Sequence, residues 1–335
     1  MTDKELKLID LIKHGKTLNE IGRELYLSNY NDIYDLFKSL RLKGFEFEKV
    51  YYYTGDIKYK LVYDNSQTLE NKASLITKNS DQTLTFMLIS DIHFGSLYDE
   101  VKYLDLMYEY CISNNIHIII NAGDLIDGLT FGKEKRLNSF EEQINLLLQK
   151  YPFDKNIINF VCLGNHDLDL LQTTGQDLKT ILNNERHDLV TLGYGMGFIN
   201  VKNEKIYVKH LIKDYKVDRI PNQNLILSGH SHKSYVIFDD NCLIHIPTLS
   251  NMQTDNCFSY PGLIVMHLDF DRGYFNNGIF EQFIIVNDKL VCSNIVKCNL
   301  LTNRNISKNG IIYYEENKDG EYITPDTKKQ KKKTK

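Results

Sequence analysis

The chain has 335 residues, 42% of them hydrophobic and 25% charged, with 19 Gly and only 5 Pro. A chain of this size buries a sizeable core, has room for about two domains, and is excluded from the collagen-like, disulfide-scaffold and wholly disordered classes. Its net charge is −4, and because six lysines fall among the last eight residues, the rest of the chain carries −10. An acidic body with a basic tail argues against a protein that coats duplex along its whole surface, but not against a local nucleic-acid site.

The six cysteines, Cys111, Cys162, Cys242, Cys257, Cys292 and Cys298, form no C-x-x-C pair. Reduced thiols are therefore expected. The N-terminal run MTDKELKLIDLIKHG is charged throughout and is not a signal peptide. No apolar run approaches the roughly 20 residues needed to span a bilayer. A soluble, cytoplasmic protein with no membrane contact is the expectation.

Residues 1–63 read as one unit. Leu8, Ile9 and Ile12 share a face of a first helix that stops at Gly15. Thr17 and Glu20 form a capping box for a second helix, with Leu18, Ile21 and Leu25 inward. Ile33, Leu36, Phe37 and Leu40 stripe a third, which ends before Gly44. Residues 45–53 and 57–63 alternate as strands around the turn Thr54-Gly55-Asp56.

Three helices followed by a hairpin resemble a winged helix-turn-helix domain. The resemblance implies DNA or RNA contact through residues 29–41, with Lys58 and Lys60 on the wing near phosphates. The same fold also serves as a protein-binding module. The unit carries 11 Lys/Arg against 10 Asp/Glu, and the presumed recognition helix carries Asp32 and Asp35.

Residues 64–83 are polar, lack periodicity and read as a linker. Strand-like runs then follow at 84–90, 117–121, 157–163, 206–212 and 225–228, with helices expected at 100–113 and 138–151. Further strands are expected at 235–238, 243–246, 263–268 and 283–286. A β-α-β half followed by a mainly β half suggests a two-sheet α/β sandwich over 84–302. Residues 303–335 turn polar and Lys-rich and read as a tail.

Metal-ligand residues gather where these strands run out: Asp91 and His93; Asp124 and Asp127; Asn165, His166 and Asp167; His210; His230 and His232. The loops at strand carboxyl ends are where an α/β sheet places its site, and burying such groups without a partner is costly. Carboxylate, imidazole and amide without thiolate suit Mn²⁺, Fe, Zn²⁺ or Ni²⁺. So many ligands exceed the needs of one ion, so two ions sharing a carboxylate are expected. His210 sits within the apolar run Val208-Lys209-His210-Leu211-Ile212, where a packed core histidine is the alternative.

D-x-H, GD-x-x-D, GNHD, a separate His and GHSH, in that order, resemble the calcineurin-like metallophosphoesterase superfamily over roughly residues 84–270. The resemblance implies an αββα sandwich and a metal-dependent hydrolase of phosphoric esters. It assigns Asp91, His93 and His232 to one ion and Asn165, His210 and His230 to the other, with Asp124 bridging. Two divalent ions are implied, Mn²⁺ foremost, with a hydroxide activated by them as the nucleophile. It makes His166 the catalytic histidine beside the phosphate. Asp167 is placed with it as an orienting catalytic group, and Asp127 stands behind the ligands. Lys133, Lys135 and Arg136 are candidates to line a phosphate-bearing groove. His117, His245 and His267 are expected to be packed, and His14 and His187 solvated.

The substrate is a phosphoester, and a phosphodiesterase or nuclease acting on nucleic acid or nucleotides is the leading expectation. A phosphomonoesterase or phosphoprotein phosphatase with a protein-binding N-terminal unit is the alternative. A DNA-binding regulator with a ligand-sensing domain is a third, opposed by the intact ligand set.

Overall fold

The computed structural model describes residues 1–27, 29–43, 45–62, 72–77, 81–131, 135–210, 225–238, 242–251, 260–300, 315–316 and 322–323. Three helices open the chain, α1 (Asp3–Lys13), α2 (Leu18–Glu24) and α3 (Tyr30–Leu42). The hairpin β1 (Glu46–Tyr52) and β2 (Ile57–Val62) follows, paired antiparallel from Glu46↔Val62 to Tyr51↔Ile57. Thr17 caps α2 as its sequence indicates: its hydroxyl takes the Glu20 amide at 3.2 Å and Glu20 takes the Thr17 amide at 2.7 Å. Thr2 and Glu5 do the same for α1.

The stretch read as a linker contains a strand, β3 (Lys72–Ile76). It pairs in parallel with β1 on one side and with β8 (Met196–Val201) on the other. An eight-stranded sheet results, ordered β11-β12-β10-β9-β8-β3-β1-β2, where β9 is Glu204–Lys209, β10 Leu225–Ser228, β11 Tyr235–Phe238 and β12 Cys242–His245. The second sheet has seven strands, ordered β15-β14-β13-β4-β5-β6-β7. Its parallel half is β4 (Thr83–Ile89), β5 (Ile118–Asn121), β6 (Ile158–Leu163) and β7 (Leu189–Tyr194). An antiparallel meander of β13 (Gly262–Asp271), β14 (Tyr274–Val286) and β15 (Lys289–Asn299) completes it.

Alternation along β4 divides the two cores. Leu84, Phe86 and Leu88 face the eight-stranded sheet and join Ile199, Ile206, Val208 and Leu225. Met87 and Ile89 face the other way, onto α4 (Lys102–Ser113), α5 (Phe140–Lys150), α6 (Asn165–Thr174) and α7 (Leu178–Glu185). Among the described residues, the helices of this part all lie on that outer face. The connection from β9 to the parallel β10, residues 211–224, lies outside the described residues, as does most of the 303–335 tail.

The N-terminal unit sits at the end of the sandwich where the parallel strands begin. The Tyr53 hydroxyl meets Thr85 at the start of β4, receiving its amide at 2.7 Å and donating to its carbonyl at 3.0 Å. Tyr30 on α3 meets Phe153 before β6, and Tyr34 stacks on His187 before β7. His187 is thus buried rather than solvated. Among the described residues no helix is long and apolar enough to cross a membrane, and Cys111, Cys162, Cys242, Cys292 and Cys298 are free thiols.

Candidate metal centre

The opposite end of the strands carries the polar cluster. β4 runs into Asp91 and His93, β5 into Asp124 and Asp127, and β6 into Asn165 and His166 at the first turn of α6. β9 runs into His210, and β10 into His230 and His232. Asp91, His93, Asp124, His230 and His232 all hold the left-handed backbone region, with φ of 56°, 53°, 55°, 75° and 57°. Non-glycine residues rarely adopt it, and such strain gathers at functional sites. Two glycines make room. A Cβ on Gly164 would lie 2.1 Å from Asp124 Oδ1, and one on Gly123, at φ 108°, would lie 2.6 Å from His210 Nδ1.

The ligand atoms converge in two groups. Asp91, His93 and His232 place one donor atom each within 4.8 Å of one another, as do Asp124, His210 and His230. Asn165 joins the second group, its Oδ1 being 3.1 Å from His230 Nδ1. Asp124 lies between them: Oδ2 is 2.9 Å from His210 Nε2 and 3.9 Å from His93 Nε2. His93, Asp127 and His166 form a third set at the same spacing, but there His166 Nδ1 is engaged by the Asp127 carbonyl at 2.6 Å.

The donors fit divalent cations. His210 Nδ1 donates to the Ala122 carbonyl at 2.6 Å, which in the neutral ring turns the Nε2 lone pair toward Asp124. That Nε2 is buried, with a carboxylate oxygen of Asp124 2.9 Å away. His93 Nε2 and His232 Nε2 face each other at 3.3 Å beside Asp91 Oδ1. Converging lone pairs repel unless a proton or a cation lies among them.

The charges are tightly balanced. Burial pushes the Asp124 carboxyl up, but His210, His166 and His93 outweigh it and hold it far below the carboxylate range. Burial lowers His210, and Asp124 and Asp91 together bring it up to about 9. His232 is likewise raised, by Asp91 against burial, whereas burial and His210 lower His230. Burial and the neighbouring His93 bring His166 down to about 4.

Other polar residues stand behind these groups. Asp167 is fully buried, with Oδ1 accepting the Leu125 and Ile126 amides at 2.9 and 3.1 Å and Oδ2 the Gly164 amide at 2.8 Å. It pins the two ligand loops together. Asp127 stands behind His93, with Oδ1 3.4 Å from Nδ1, and its Oδ2 receives Lys135 Nζ at 2.7 Å. Lys135 is therefore buried against Asp127 rather than lining a groove, and Arg136 is held by Asp99. Lys133 lies outside the described residues. His245 stacks on Tyr235 with Nδ1 3.1 Å from Ser231 Oγ, and His267 Nδ1 meets Thr85 Oγ1 at 2.9 Å.

Sequence patterns do not single out three further residues. Thr248 Oγ1 donates to the Asp91 carbonyl at 2.9 Å, Phe131 stacks on the His166 ring, and Asp169 holds the Phe131 loop. Each acts across a long loop, and no local motif announces such a contact.

The family model of calcineurin-like phosphoesterases matches residues 84–240. Among solved structures, a single-mutant Vps29 from Entamoeba histolytica is similar at 13% identity and TM-score 0.40, over 64% of this chain and 100% of that one. YfcE, a phosphoesterase from E. coli, is similar at 15% identity and TM-score 0.37, over 65% and 100%. The Pseudomonas putida nuclease MPE is similar at 14% identity and TM-score 0.32, over 53% and 83%. No curated protein matches the sequence. Residues 84–240 are thus similar to calcineurin-like phosphoesterases, metal-dependent hydrolases of phosphoester bonds.

Proposed function

We propose that the protein is a dinuclear metal-dependent phosphodiesterase that acts on nucleic acid or nucleotides. The observation that carries the reading is the pair of donor groups meeting at Asp124, with His166 at their edge. Asp91, His93 and His232 would hold one ion and Asn165, His210 and His230 the other, with Asp124 serving both; Mn²⁺ suits this oxygen and imidazole set. Bound there, the ions supply an acidified water and neutralise the phosphoryl oxygens.

The chain's own groups do the rest. Lys135, Asp127 and His93 form a line that fixes the His93 ring. Asp167 fixes the Asp124 loop against the turn that carries Asn165 and His166. His166 presents Nε2 to the phosphate, since its Nδ1 is committed to Asp127 O. The imidazole is neutral at pH 7 in the free protein, and an approaching phosphate anion draws a proton onto Nε2. Water oxygen bonds to phosphorus and gives up a proton to solvent, the bond to the leaving oxygen breaks, and His166 gives that oxygen its proton.

Phe131, stacked on His166 and partly exposed, suits an aromatic ester. The N-terminal unit lies at the other end of the strands, and none of its described residues forms a wall of this site. Because Tyr30 and Tyr34 seat α3 against the body, a protein-binding role for the unit is the second reading, paired with phosphomonoester hydrolysis.

The test is Mn²⁺-dependent cleavage of end-labelled single- and double-stranded DNA beside aryl phosphate mono- and diesters, with Asp124→Asn as control. Cleavage of DNA or diester that the control lacks supports the first reading. Turnover confined to monoesters transfers support to the second.

A further inference from the structure

Phe131 lies flat against the His166 imidazole, with ring centroids 4.3 Å apart and planes 29° apart, yet 38% of its surface stays exposed. The loop that carries it is anchored far more firmly than a connection from β5 to α5 requires. The Asp169 carboxylate accepts the Leu129 and Thr130 amides at 2.6 and 2.9 Å and the Thr130 hydroxyl at 2.9 Å. Gln143 brackets Gly128, accepting its amide at 3.0 Å and donating to its carbonyl at 3.1 Å. Lys135 donates to the Phe131 carbonyl.

This one rigid segment holds His166 twice, by the Asp127 carbonyl at Nδ1 and by the Phe131 ring on its face. Rotation of the imidazole about its own bond is thereby blocked. A leaving oxygen must come within about 3 Å of Nε2 to take its proton. Whatever that oxygen carries then lies beside the exposed part of Phe131.

We propose that Phe131 is a positioning residue for His166 and the wall of the leaving-group pocket, so that the site prefers esters whose leaving group is a planar ring. The inference rests on the phosphoesterase reading and names the substrate class within it. Stacking between aromatic rings favours a planar group by about five- to tenfold over a methyl group.

The test uses full-length Mn²⁺-loaded protein and two probes that are not hydrolysed, phenylphosphonate and methylphosphonate. Wild type should bind the phenyl probe about five- to tenfold more tightly by calorimetry. Phe131→Leu should lose that preference and keep its affinity for the methyl probe, while Phe131→Tyr should retain both. On aryl and methyl esters of one phosphate, Phe131→Leu should lower kcat about tenfold, with Phe131→Tyr restoring it. A phenyl preference absent from wild type, or intact in Phe131→Leu, overturns the wall. An unchanged kcat in Phe131→Leu overturns the positioning role. A preference that is present and Phe131-dependent in a protein without turnover upholds the wall and rejects the hydrolase reading instead.

Discussion

His166 is a half-buried and His210 a fully buried imidazole, both beside carboxylates, and their surroundings push them in opposite directions. His210 faces Asp124 and is lifted to about 9, from a usual value of 6.5, so in the metal-free protein it is protonated at neutral pH. A raised folded-state value means that its contribution to stability is fully present below 6.5 and is lost as pH rises through about 9. An ion at that nitrogen must displace the proton, so affinity at the second group should climb about tenfold per pH unit and level off near pH 9. Calorimetry at pH 7.5 in two buffers of different ionisation heat should count about one proton released per ion there. None released would sink the ligand assignment. His166 is instead held neutral and away from the ions. His166→Asn should keep its full metal content by equilibrium dialysis while kcat falls about 10²- to 10⁴-fold. Retained turnover would remove it from the chemistry.

At the scale of elements, the loop between β5 and α5 organises the centre from behind. Lys135 balances the buried Asp127 carboxylate, and Asp127 in turn steadies the His93 ring. Lys135→Met should therefore weaken the first ion about 10- to 100-fold and leave the second nearly untouched, as a two-site Mn²⁺ titration would show. Equal loss at both sites would mean general unfolding, and no loss would mean that the line from Lys135 to His93 carries nothing. The sequence announces the ligands because every one stands at the end of a recognisable apolar strand. It does not announce this line, whose local text is a charge run that reads equally well as a solvated loop. β15 was hidden for a related reason: as an edge strand it is exposed along most of its length, so its apolar alternation is weak. β3 is five residues in a polar stretch, and only its remote partners β1 and β8 make it a strand. His210 shows the converse, since it stands inside an apolar run that suits a core histidine, yet the strand ends at Lys209 and leaves it at the site.

At the scale of the whole molecule, the position of β3 decides how the N-terminal unit behaves. A tethered recognition module would keep its own core and leave the sandwich intact when cut away. Here β1 continues the eight-stranded sheet through β3, and Tyr51 packs edge-on against Phe160 of the other sheet at 5.4 Å. Tyr53 meets Phe86 in the same core at 6.0 Å. Removing residues 1–77 would strip those rings from the core and leave β8 as a bare edge, a template for aggregation. The full chain should therefore unfold in one thermal transition, coincident by far-ultraviolet circular dichroism and tyrosine fluorescence. The truncated chain should be insoluble or melt well below it, although every metal ligand remains. Tyr34→Ala, which removes the stack on His187 and the packing of that ring against the core, should lower Tm by a few degrees and keep the single transition. Two separate transitions, or a soluble truncated protein with an unchanged Tm, would show that the unit folds apart and would return α3 to the role of a free binding helix. A single transition makes α3 part of the phosphoesterase scaffold, and any partner of the unit must then be read by the surface that scaffold leaves exposed.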